Sequence, residues 1–132
     1  MWVHTNLKSA HRLPPEWKLT QCLFGEHLLH DKVNANVALV KSEKTAVICF
    51  LLLSEYIWLA TGGKSQLMVL KGHTVTAFPD IDGYEEWRKK AKIYTMLDIT
   101  ISDILERNAT PEQRERQVDI ADLLLEEMLK EK

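Results

Sequence analysis

Several features that announce a function are missing from this chain of 132 residues. There is no basic excess: 17 Lys and Arg against 19 Asp and Glu give a formal charge of −2. That excludes nucleic-acid affinity carried by a global positive field, though not by a local basic patch. The two cysteines, Cys22 and Cys49, lie far apart in apolar surroundings without CxxC spacing. Neither a disulfide framework nor a cysteine-based zinc site is indicated, and both read as small buried hydrophobes in a reducing compartment. No basic region followed by a long apolar stretch opens the chain, so no signal peptide is expected. The longest apolar run, AVICFLLL (46–53), is too short for a membrane span, which needs about 20 residues. A cytoplasmic protein with no membrane partner is the expectation.

Familiar catalytic signatures are missing as well. Gly63-Lys64-Ser65 looks like the end of a phosphate-binding P-loop, but the position of the motif's first glycine holds Trp58. What survives is a glycine-rich turn whose backbone N–H groups could face an anion, or simply a tight turn. HExxH does not occur, because His27 follows Glu26 directly. His27 and His30 are three apart, yet no further His or Cys lies near them in sequence to complete a zinc set. All five histidines read as structural or surface residues, and no Ser-His-Asp or Cys-His arrangement stands out.

What is present is an alternation of strand and helix patterns. The first 36 residues look irregular, with Pro14-Pro15, and Leu23, Phe24, Leu28 and Leu29 suit one short helix packed on the rest. VALV (37–40) is a buried strand, Ser42 is placed to cap a helix over 43–53, and YIWLAT (56–61) is a second strand closed by Gly62-Gly63. TVTAF (74–78) gives a third. Tyr84, Trp87, Ala91 and Tyr94 then recur at helical spacing. DITIS (98–102) alternates as a fourth strand with one exposed side. Thr110, Pro111 and Gln113 open a long final helix through a capping box, with Val118, Ala121, Leu125, Met128 and Leu129 as its buried stripe. The order implies an α/β fold, Rossmann-like, with about four mostly parallel strands flanked by helices.

In such a sheet ligands bind outside the carboxyl ends of the strands. Three polar turns fall there: Lys41-Ser42-Glu43, Thr61 to Ser65, and Asp80-Ile81-Asp82. The two aspartates suit a hard divalent cation, which needs only two or three convergent carboxylates because it keeps several waters. They equally suit a plain turn, since Asp82-Gly83 is a common turn dipeptide.

Taken together, ALVKSEKTAV, WLATGGKSQL and VTAFPDIDGYEEW resemble the Toprim domain, the topoisomerase–primase α/β fold. More narrowly, they are similar to Toprim-like proteins of unknown function carried by Bacteroides-type bacteria and their mobile elements. The likeness covers roughly residues 37–105. It implies that Asp80 and Asp82, as the family's Asp-x-Asp, bind magnesium or manganese, and it turns the balance from plain turn to cation site. The family places a glutamate, usually followed by glycine, after the first strand as general acid or base. Here those positions hold Lys41 and Ser42, with Glu43 two residues later. A protonated lysine does not ligate magnesium and competes with it for the aspartates, but it can meet a phosphate as a point charge.

The resemblance implies a nucleic-acid-processing domain, primase-like, serving replication or mobilisation of a mobile element. In that reading Glu43 assists catalysis, while Lys41, Lys64, Ser65 and Arg88 face phosphates. Lys41 in the glutamate's place favours instead a non-catalytic module binding nucleic acid or a protein. A third option is a scaffold that dimerises through the C-terminal helix. The division expected is an irregular extension over 1–36 packed on a Toprim-like domain over 37–132. Such an extension also fits the end piece of a longer protein, in which a helicase or zinc-binding module would be usual company.

Overall fold

The computed structural model describes residues 3–14, 16, 22–32, 34–61 and 67–131. Four strands form one all-parallel sheet: β1 (Asn36–Val40), β2 (Ile57–Ala60), β3 (Thr74–Ala77) and β4 (Asp98–Ile101), in the order β2-β1-β3-β4. Helices cover both faces, giving the α/β, Rossmann-like class that the alternating pattern implies. Central strands buried on both sides read as continuous apolar runs, and Val37, Ala38, Leu39 and Val40 of β1 are all buried. The edge strand β4 has exposed Asp98 and Thr100 between partly buried Ile99 and Ile101.

Side chains alternate across a strand, so the sheet builds two cores. Val37, Leu39, Leu59, Val75 and Ala77 face one layer with Leu23, Leu29, Leu67, Leu70 and Trp87. Ala38, Val40, Trp58 and Ala60 face the other with Ala46, Cys49, Leu105, Val118, Ile120 and Ala121. The first layer holds α3 (Tyr84–Ile93) and the second α2 (Glu43–Leu52). This division follows from topology. The chain leaves β1 toward one edge and β3 toward the other, so right-handed crossovers must pass over opposite faces.

Phe24 forms an antiparallel bridge with Ala60 through backbone bonds of 2.9 and 3.2 Å, covering the open edge of β2. The following Gly25 has φ 83°, and a Cβ there would lie 3.0 Å from Leu59 Cδ2 and 3.1 Å from the Trp58 carbonyl. The close approach therefore depends on glycine. Residues Glu26–Leu29 form a short 3-10 turn that buries Leu29, while Phe24 and Leu28 stay exposed.

Three differences from the sequence reading concern secondary structure. The N-terminal stretch expected to be irregular contains α1 (Val3–Ser9), which precedes the Pro14-Pro15 interruption that dominated the pattern. Ser42 occupies the cap position of α2, but its hydroxyl makes no capping bond. The long final helix is two helices, α5 (Pro111–Glu115) and α6 (Ile120–Lys130), after a short α4 (Ile104–Asn108). Thr110 and Gln113 form the expected capping box, with bonds of 2.9 and 3.1 Å. Gln117 then turns the chain at φ 53°, and Asp119 caps α6 through a second box with Asp122. Because α6 starts anew, only Val118 and Ala121 of the expected stripe are buried; Leu125, Met128 and Leu129 are exposed.

Cys49 is buried, and burial, followed by the nearby negative charge of Asp119, pushes its thiol up to about 12. Cys22 is exposed. A thiol reagent at neutral pH should therefore modify one cysteine in the native protein and two after denaturation, since the thiolate is the nucleophile. Two reactive thiols in the native state would contradict this packing.

Candidate functional site

The strand order has its topological switch point between β1 and β3, where ligands of doubly wound sheets bind. Lys41 directly follows β1, and Phe78-Pro79-Asp80 follows β3. Between them opens a cleft of about 350 Å³ lined by Lys41, Thr61, Asp80, Ile81, Asp82, Gly83, Glu86, Trp87, Lys90 and Gln117. Thr61 is held at this rim by its backbone N–H, which donates to the Val40 carbonyl at 2.9 Å.

The Asp80–Gly83 segment is a turn closed by the Gly83 N–H donating to the Asp80 carbonyl at 2.9 Å. Asp82, in its third position, has φ 67°. A type II turn ordinarily puts glycine there, and aspartate is among the few other residues that tolerate it. Gly83 is packed as well, since a Cβ on it would sit 3.1 Å from the Asp80 carbonyl oxygen. Asp82 and Gln117, both at positive φ, thus meet at one cleft. Strained backbone of this kind clusters at ligand sites.

Asp80 is half-buried and Asp82 exposed. Burial raises the Asp80 carboxyl above its ordinary range, the negative Asp119 raises it further, and Lys41 opposes both. Asp119 was not foreseen. Its Oδ2 accepts from the Thr45 hydroxyl at 2.7 Å and its Oδ1 from the Asp122 N–H at 2.9 Å. Both carboxylate oxygens are thereby engaged, and the charge is held where it acts on Asp80. Asp119-x-x-Asp122 before an apolar run is a capping signature that could have located it. Glu86 and Lys90, also missed, follow Gly83 by three and seven residues, the spacing of one helix face. They pair at 3.3 Å, with the Lys90 amine 5.5 Å from the centre of the Trp87 ring. The pair is exposed and adds little stability.

Of the residues singled out from sequence, Lys41, Asp80 and Asp82 come together in the cleft. Glu43 is exposed in the first turn of α2 and is not among the lining residues. Arg88 turns to Glu85 at 3.2 Å and to the Tyr84 ring, 5.7 Å away, on the outer side of α3. Lys64 and Ser65, with Gly62 and Gly63, lie outside the described residues. Among the described residues no three His, Cys, Asp or Glu side chains converge to hold a metal, so a cation here would rest on Asp80 and Asp82. His27 and His30 do share a cleft of about 650 Å³ with Cys22 and His73, which the sequence spacing did not bring near them. These side chains do not converge either, and the buried His73 Nδ1 has no hydrogen-bond partner. No described helix is long and apolar enough to cross a membrane.

The family model described as Domain of unknown function (DUF6371) matches residues 1–81 of the 132, and the chain belongs to that family. The match takes in Lys41, Thr61, Asp80 and Ile81 of the cleft; Asp82, Glu86, Lys90 and Gln117 lie beyond it. No curated protein and no solved structure matches the chain.

Proposed function

We propose that this member of a family without an assigned function is a Toprim-like nucleic-acid-binding domain, in which Asp80 and Asp82 hold magnesium or manganese and Lys41 meets a phosphate. The observation carrying the reading is the placement of Lys41 against the Asp80–Asp82 turn at the switch point of a parallel sheet. The residues fit a hard dication. Two carboxylates suffice where waters and a phosphate complete the shell, and Asp80, half-buried beside a second fixed anion, is a group whose charge a cation would stabilise. When bound, the ion supplies charge neutralisation for a phosphate.

The chain's own residues supply the rest. Lys41 offers a mobile point charge, and Lys90, paired with Glu86, lines the same cleft. Among the described residues no exposed aromatic ring lines the cleft; Trp87 is buried beneath Lys90. Stacking on bases is therefore not offered, and recognition would run through the backbone and be insensitive to sequence. Catalysis is disfavoured on the same grounds. The position after β1 carries a cation, and Glu43 does not line the cleft, so no general acid or base stands where the resemblance would put one. The domain would serve nucleic-acid processing by holding a strand while chemistry happens elsewhere.

The test is binding of a short single-stranded oligonucleotide, followed by fluorescence anisotropy with and without magnesium. Binding should require the ion, weaken as salt rises, and fall on the order of tenfold in Lys41→Ala, the equivalent of one charge-assisted contact. Lys41→Glu should tighten magnesium itself. Absence of binding in either condition would overturn the proposal. Strand cleavage or nucleotide transfer by the wild type would overturn its non-catalytic half.

A further inference from the structure

A second surface lies away from the cleft, on the layer formed by α2 and α6. Beyond its first turn α2 reads TAVICFLL, apolar on every side, whereas a helix covering a sheet ordinarily turns a polar face outward. Thr45, Ala46 and Cys49 are buried, but Val47, Phe50 and Leu51 are not. On α6 the same holds for Leu125, Met128 and Leu129. Exposure of these six ranges from 39% at Leu125 to 75% at Leu51. The two stripes lie on neighbouring helices of one layer. The Thr45–Asp119 bond of 2.7 Å pins the helix starts together, the helices pack on each other, and the exposed apolar residues lie mainly in their C-terminal halves.

We infer that this face is where a second copy of the chain docks, forming a two-fold dimer through α2 and α6. Size is the first argument. Six large apolar side chains at this exposure amount to several hundred Å², a size at which an exposed apolar patch is often functional. That is on the order of the ~800 Å² per partner that a stable interface uses. Charge is the second. Beside the stripe Arg116 pairs with Glu126 at 2.6 Å and Lys130 with Glu127 at 2.8 Å, and Glu43 and Lys44 stand side by side at the start of α2. With no basic excess, the rim does not select an anionic lipid surface or a nucleic acid. Being balanced, it does not repel its own copy, and self-complementary two-fold pairing is the commonest way for such a face to close. The N-terminal ends of both helices stand at the cleft, so pairing through their C-terminal halves leaves both clefts open. The inference is independent of what the cleft binds.

Light scattering after size-exclusion chromatography, run from micromolar to hundreds of micromolar protein, tests it. The wild type should approach twice the chain mass as concentration rises. Leu51→Asp and Leu129→Asp alter outward side chains, so each should keep the circular dichroism spectrum and the melting temperature extrapolated to the monomer. Each should weaken dimerisation at least tenfold, and together they should abolish it. A wild type that stays monomeric at the highest concentration overturns the inference. So does a dimer that survives both substitutions, or a monomer that floats with zwitterionic vesicles, which would make lipid the occupant.

Discussion

Asp80→Asn is expected to lose the magnesium response of the protein and, without added metal, to melt at a higher temperature than the wild type at neutral pH. The sign follows from the environment of the carboxyl. Burial and Asp119 raise its folded-state value above the unfolded one, outweighing Lys41. Folding therefore favours the protonated form. The stability this contributes is complete below the ordinary carboxylate range and is lost as pH rises through the raised folded value. At neutral pH the ionised group works against the fold. Asparagine keeps the shape and removes the charge. Melting curves from about pH 4 to about pH 8 should run together at the acid end and separate toward neutrality, the variant being the more stable. Magnesium should reverse the order by stabilising only the wild type, by about 2.7 kcal/mol at a hundred times its dissociation constant. A variant less stable at every pH would mean that Asp80 serves the turn rather than a ligand.

Trp58→Ala should come close to unfolding the molecule. Trp58 is 3% exposed, stacks on Phe78 with ring centroids 5.5 Å apart, and meets the edge of Tyr56 at 5.8 Å. Its indole N–H donates to the Leu53 carbonyl at 2.7 Å, fastening the end of α2 to β2. Truncating a buried tryptophan costs about 3–5 kcal/mol, and the orphaned carbonyl adds about 1 kcal/mol or more. The whole stability of a domain is only about 5–15 kcal/mol, so the urea midpoint should collapse or the cooperative transition disappear. Trp58→Phe, which keeps most of the ring, should lose markedly less. A shift below ~1 kcal/mol for the alanine variant would contradict the packing of this layer. Because β2 lies beside β1, the same variant should also disorder the rim that carries Lys41.

The strands were legible because their physics is local. VALV, IWLA and TVTA are short β-branched or aromatic runs closed by polar turns, and parallel strands buried on both faces carry that signature. Placing Lys41 and Asp80 at one edge then required only the rule that connections follow the carboxyl ends. The pairing of β1 with β3 was not legible, because strand order is set by non-local packing. Yet that order is what makes the turn after β1 and the turn after β3 walls of one cleft. Asp119 was hidden by a stronger local pattern. Thr110, Pro111 and Gln113 announce a helix so clearly that the apolar residues beyond Gln117 were read as its continuation. The break is a positive φ at Gln117, a conformation that glutamine does not advertise. The same misreading put Leu125, Met128 and Leu129 in the core, and they emerged as part of an outward face. For Arg88 the helical spacing was right, but the spacing alone did not tell which flank of α3 borders the cleft; Glu86 and Lys90 do.

The account stands or falls on whether the Asp80–Gly83 turn holds a divalent cation. The direct measurement is a magnesium titration of the metal-free protein followed by backbone amide NMR, with Asp80→Asn as the blank. The account predicts that the amides of Ile81, Asp82 and Gly83 shift and saturate in the millimolar range or below, with Lys41 following and the blank silent. No movement of these amides at millimolar magnesium, or equal movement in the blank, would contradict it.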